Sequence, residues 1–119
     1  STVKELNLSL STDVIKFKSN NLDVVFHLNE ITHFESYKRL VIVHLENNEK
    51  HEFYYKLSDL TNELKDKNFV LIHRSYLVNL QYIKKISSDE TLLKTNVVLP
   101  ISRNLVKSVK EAFMKYLNK

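Results

Sequence analysis

Apolar residues recur along this chain either at every second position or in short runs of β-branched and aromatic side chains, the two patterns by which half-buried and fully buried strands show themselves. They predict strands at about residues 13–18, 22–27, 31–35, 40–46, 50–55, 69–72, 82–87, 91–94 and 97–100. The connections are short, so antiparallel hairpins are the expected pairing. The clearest hairpin runs out from Leu40, turns at Glu46-Asn47-Asn48-Glu49 and returns from Lys50.

Helical spacing appears twice. Leu57, Leu60 and Leu64 share one face of a short helix ending near Lys67-Asn68. Leu105, Val109, Ala112, Phe113, Tyr116 and Leu117 line a longer helix that starts at Arg103, with Ser102 at its N-cap. Arg103, Lys107 and Lys110 fall at i, i+4 and i+7 on the opposite face, a basic ridge. The class is mainly β, with small antiparallel sheets and one or two short helices. A length of 119 residues fits one domain, over 12–119, with 1–11 as a linker or N-terminal extension.

One stretch resists this pattern. In Leu71-Ile72-His73-Arg74-Ser75-Tyr76-Leu77-Val78 the apolar residues suit a buried element, yet His73-Arg74-Ser75 interrupts them. Burying an unpaired arginine costs several kcal/mol, on the order of a large fraction of a domain's stability. Either Arg74 has a partner inside, or the chain turns there and presents it outward.

Composition narrows the chemistry. The chain has no glycine, which excludes the phosphate-cradling loops that need close backbone approach, and leaves Asn20-Asn21, Asn47-Asn48 and Asn96 to supply the positive φ of turns. It has no cysteine, hence no disulfide, thiol nucleophile or thiolate metal site. No apolar run reaches the roughly 18 residues of a membrane span, and a cytoplasmic domain is expected. Over Ser1–Val70, 9 Lys and Arg face 11 Asp and Glu, a net −2, whereas over Leu71–Lys119 9 face 3, a net +6. The second half is the one suited to an anion.

His27, His33, His44, His51 and His73 show no metal-ligand spacing, and no nucleophile elbow or distinct carboxylate pair suggests catalysis, so neither a metal, a cofactor nor an enzyme is expected. Basic residues, by contrast, stand at three places where the strand or helix pattern breaks. These are Ser36-Tyr37-Lys38-Arg39 between two strands, His73-Arg74-Ser75, and Ser102-Arg103-Asn104 after Pro100. Arginine on a loop or cap can form two bonds to guanine O6 and N7 or to phosphate, and Ser or Asn at a helix start can bond phosphate oxygens. RNA binding is a lesser option, since it would use exposed aromatics, and of Tyr37, Tyr54, Tyr55, Tyr76 and Tyr82 most read more simply as core or cross-strand packing. The competing class is a protein-interaction module using strand edges around 40–55.

The segment Ile72-His73-Arg74-Ser75-Tyr76-Leu77-Val78-Asn79, continued by Gln81-Tyr82-Ile83-Lys84-Lys85-Ile86, resembles the LytTR family, DNA-binding domains at the C-terminus of many bacterial response regulators. Glu30-Ile31 with Phe34-Glu35 upstream, and Leu99-Pro100-Ile101-Ser102-Arg103 downstream, are similar to the family's other motifs in order and spacing. The resemblance implies an elongated stack of small antiparallel sheets, a β-β-β sandwich, whose loops enter successive major grooves of double-stranded DNA. It implies base contacts from Lys38 or Arg39 beside Tyr37, from Arg74 and from Arg103; beside these, Ser75, Ser102, Asn104 and Lys107 are expected on phosphates. His73 is left between a phosphate contact and support of its loop, and Asn79 reads as a side chain bonding local backbone. An upstream receiver domain, a monomeric isolated domain and paired direct repeats in the DNA are further implications.

Overall fold

The computed structural model describes residues 13–119; the linker expected over 1–11 lies outside them. β1 (Val14–Ser19) and β2 (Leu22–His27) form a two-stranded sheet. β3 (Ile31–Tyr37), β4 (Leu40–Leu45), β5 (Lys50–Tyr54), β6 (Phe69–His73) and β7 (Tyr76–Asn79) form the central sheet, in the order β5-β4-β3-β7-β6. β8 (Ile83–Ile86), β9 (Glu90–Leu93) and β10 (Val98–Pro100) make the third. Every pairing is antiparallel. Helix α1 (Leu57–Glu63) joins β5 to β6, and α2 (Val106–Leu117) ends the chain after a 3-10 turn at Arg103–Leu105.

The central sheet has a core on each face. Phe34, Val41, Val43, Phe53 and Leu77 pack with Phe17 and Phe26 of the small sheet and Leu57 and Leu60 of α1, and Phe17 stacks on Phe53 at 4.6 Å. Ile72 and Val78 face the other way, toward Ile83, Leu93, Leu99 and Val109. Leu77 and Val78 therefore serve one core each, as neighbours on a strand buried on both sides must.

That double burial hid β7 from the sequence. A four-residue strand without alternation carries no period-2 signal, so the sequence pattern predicts only 69–72 as extended. β7 pairs with β6, with His73 opposite Tyr76, and Arg74-Ser75 is their two-residue turn. The opening puzzle ends there: Arg74 is exposed at a hairpin tip while its neighbours in sequence hold both cores.

Three bulges adjust the ladders, at Thr32, Ile72 and Lys84. The first explains how Ile31 and Phe34, three apart, share one core. Positive φ falls on Asn20 and Asn21 in the β1–β2 turn, and on Asn48, Asn68 and Asn96. Asn47 differs from expectation: it keeps negative φ, and its Oδ1 accepts the Glu49 N–H at 3.0 Å. Lys38, at φ 58°, takes a left-handed position without being Asn or Gly.

Two expectations for the last helix need correction. Ser102 occupies the N-cap position of the 3-10 turn, but its side chain makes no capping bond; the backbone carbonyl accepts the Leu105 N–H instead. Leu117 is 55% exposed rather than part of the apolar stripe, because the helix runs past the edge of the core that Val109, Ala112, Phe113 and Tyr116 cover.

The Thr32 bulge also organises a buried polar group. Thr32 Oγ1 donates to the His44 carbonyl at 3.2 Å, so its one proton is committed and it accepts from His33 Nδ1–H at 2.9 Å. The His33 ring stacks on that of His44 at 4.0 Å, and His44 Nε2 meets Glu35 Oε1 at 2.9 Å. Burial first, then the neighbouring His44, push the His33 pKa down to about 3 from 6.5. Between those values the unfolded chain binds the extra proton and the folded one does not, so stability falls as pH drops from 6.5 toward 3. His33 is expected to contribute a loss of about 2 kcal/mol at pH 5, at roughly 1.4 kcal/mol per pH unit. Nitrogen-detected NMR of the ring checks it: a neutral, Nδ1-protonated His33 at pH 5 is expected, and a charged ring at that pH would refute the argument.

Candidate nucleic-acid interface

The three basic segments end up tied together by backbone. In the β3–β4 connection Tyr37 pairs with Leu40, leaving Lys38 and Arg39 as turn residues, all but Leu40 exposed. The Arg39 carbonyl accepts the Tyr55 N–H at 3.4 Å, which fixes this turn against the end of β5. Lys38 Nζ lies 5.3 Å from the Tyr37 ring centroid, a cation–π contact that steadies both side chains.

The β6–β7 turn stands next to it. Ser36 N–H donates to the Ser75 carbonyl at 2.8 Å, joining the end of β3 to the Arg74-Ser75 turn. Within the turn, Ser75 N–H donates to His73 Nδ1 at 3.1 Å, so Nδ1 is unprotonated and the ring supports the loop. On the other flank the bulge takes Ile72 out of the ladder, and its carbonyl accepts Ser102 N–H at 2.9 Å. Ser102, half-buried, thereby leads the exposed Arg103, Asn104 and Lys107 out from the edge of the same sheet.

A chain of backbone bonds thus runs from the Lys38-Arg39 turn through the Arg74 turn to the Arg103 segment. Lys38, Arg39, Arg74, Arg103 and Lys107 form no ion pair with the described residues, so their charges face water. Among the described residues, no group of three His, Cys, Asp or Glu side chains is placed to hold a metal.

An open groove of about 680 Å³ separates the first two turns, and Lys38, Arg39 and Arg74 line it together with Ser36 and Tyr54. It also brings in two residues the sequence reading missed, Lys56 and Ser58, from the entry to α1. A lone lysine between a strand and a helix gives no signal by itself; only the fold sets it across from Arg74. Tyr37, His73, Ser75 and the segment 102–107 lie outside this groove, so the candidate residues are divided between the groove and its flanks.

Lys38 gives the turn a measurable cost. A non-glycine residue in the left-handed region loses about 1–2 kcal/mol. Lys38→Gly is expected to raise stability by about 0.5–1 kcal/mol, net of the entropy glycine adds to the unfolded chain, while weakening nucleic-acid binding. Urea unfolding and a binding titration on the same variant check both signs; a destabilised variant would mean that the contact with Tyr37 outweighs the strain.

The family model described as the LytTr DNA-binding domain matches residues 23–114, well over half of the chain. The sensory transduction protein LytT of Bacillus subtilis (strain 168) is 33% identical over 66 residues, a match covering 48% of this chain and 27% of that protein. The chain thus matches little more than a quarter of that relative's length. The LytTr DNA-binding domain of a Bacillus cereus protein, described as a methyl-accepting/DNA response regulator, superposes with a TM-score of 0.71 at 19% identity, covering 85% of this chain and 96% of that one. At that identity the superposition establishes a shared fold.

Proposed function

Because the chain belongs to the LytTR family of DNA-binding domains, we propose that it reads a specific double-stranded DNA sequence as the effector part of a bacterial transcriptional regulator, with loops set into successive major grooves. Arg74 and Arg103 each form a bidentate pair with a base, and Lys38 or Arg39 makes the third contact. Ser75, Ser102, Asn104 and Lys107 hold phosphates, and Lys56 and Ser58 hold the backbone that passes between the first two turns. His73 acts through the turn it supports, and Asn79 acts through the fold.

The observation that carries this reading is the pair of backbone bonds, Ser36 to Ser75 and Ser102 to Ile72, that tie two basic turns of the central sheet to each other and to the basic segment beside its β6 edge. Contacts held this way keep their spacing when DNA arrives, so little ordering entropy opposes binding. An upstream receiver domain would supply the signal, and a monomeric domain would occupy each of two direct repeats. The edge position of β5 in the central sheet supports the second reading, a partner added along that strand.

The deciding experiment selects bound duplexes from a random library at about 0.15 M salt, where non-specific contacts are already weakened. A short motif in two patches about one helical turn apart is the expected result. Binding seen only at low salt, without enrichment, would overturn the DNA reading in favour of the strand edge.

A further inference from the structure

A second open groove, of about 640 Å³, lies between the third sheet and α2. Its apolar lining is Ile86, Leu92, Val98, Phe113 and Met114. Lys85, Leu92 and Val98 form one cross-strand row over β8, β9 and β10, on the face turned away from buried Leu93 and Leu99. Val98 and Met114 are 53% and 56% exposed, so two large apolar side chains face water in the same groove. Neither core uses them.

The rim carries Lys84, Lys85 and Lys110 against a single acid, Glu90. Consecutive residues of a regular strand point to opposite faces, and Lys84 and Lys85 would then part company. The bulge at Lys84 breaks that alternation, and both lysines line the groove. Three cations around an apolar floor match a ligand that is apolar in the middle and acidic along its sides. A DNA backbone needs the lysines but offers nothing to Leu92, Val98 or Met114. A floor three strands wide, walled by a helix, suits a helix about 10 Å across.

We propose that this groove docks an acidic amphipathic helix of a protein partner, its apolar face on Leu92, Val98, Phe113 and Met114 and its carboxylates on Lys84, Lys85 and Lys110. Such a contact is a helix-in-groove mode, read by apolar anchors at i, i+3, i+4 and i+7. Its lining shares no residue with the proposed DNA contacts, and a failure of the DNA reading leaves its test intact.

The test uses the 119-residue chain and two designed helical peptides. They share leucines at the anchor positions and carry either glutamates or lysines beside them. Fluorescence anisotropy should show the glutamate peptide binding at least tenfold more tightly than the lysine peptide. The double substitution Val98→Ser with Met114→Ser should weaken it at least tenfold, and so should Lys84→Gln with Lys85→Gln, which leaves the apolar surface untouched. Binding of any duplex enriched from the random library should change less than twofold in the Val98, Met114 variant. Equal affinity for the two peptides, no binding of either, or indifference to both double substitutions would overturn the proposal. Loss of duplex affinity in the Lys84, Lys85 variant with peptide binding intact would assign those lysines to DNA and overturn it as well.

Discussion

Replacing Arg74 and Arg103 together with alanine is expected to remove about 1–3 kcal/mol of discrimination, roughly 5- to 150-fold in relative affinity, at each of two positions of the preferred duplex, and about 2–6 kcal/mol against a duplex changed at both. Each bidentate arginine is worth roughly 1–3 kcal/mol against the wrong base, and contacts on separate loops add. Both side chains are exposed, so the fold should lose no more than about 0.5 kcal/mol. Binding at low salt should survive, because Lys56 and Lys107 remain to meet phosphates. Titrations against the enriched duplex and a set of one-base substitutions measure this directly. Should the double variant keep its preference, the base-reading role of both arginines is wrong, whatever its overall affinity.

Asn79→Ala should produce the opposite profile, a large loss of stability with no change of preference in the molecules that stay folded. Asn79 is 3% exposed, and its Nδ2 donates to the carbonyls of Ile31 at 2.9 Å and Leu28 at 3.3 Å. Its Oδ1 accepts the Gln81 N–H at 3.0 Å. One side chain therefore joins the 3-10 turn at Leu28–Glu30 to the one at Leu80–Tyr82, and Tyr82 adds a bond from its hydroxyl to the Asn29 carbonyl at 2.6 Å. Alanine leaves the Ile31 carbonyl and the Gln81 N–H without these bonds and takes one of two from the Leu28 carbonyl, which keeps the Ile31 N–H, at a cost of about 2–3 kcal/mol. Urea unfolding gives the number. A loss below about 1 kcal/mol would mean that water enters and replaces the amide.

Asn79 also shows how far a sequence can be read. Its bond to Gln81 is local, and a residue that bonds backbone two positions on is the ordinary use of asparagine. Its bonds to Leu28 and Ile31 span about fifty positions, and no local pattern contains them. The same division holds elsewhere. β1, with one wet face, announces itself by alternation, and β4 by a six-residue run of mostly β-branched and aliphatic side chains, whereas the four residues of β7 are dry on both faces and silent. The three basic interruptions were visible because they break a period; Lys56 and Ser58 break none and gain meaning only from standing across from Arg74. The bulges at Thr32 and Lys84 were equally hidden, since a single extra residue in a ladder exists only in relation to the partner strand.

The backbone ties from Ser36 to Ser75 and from Ser102 to Ile72 have one more consequence. They involve no side chain of Lys38, Arg39, Arg74 or Arg103, so the residues proposed to meet the bases take no part in holding one another in position. On the proposed function, a lineage can therefore exchange these four letters and acquire a new DNA target without rebuilding the scaffold. Regulators that share this fold can diverge in their targets while their cores drift slowly, and a library randomised at the four positions is a ready source of altered specificities.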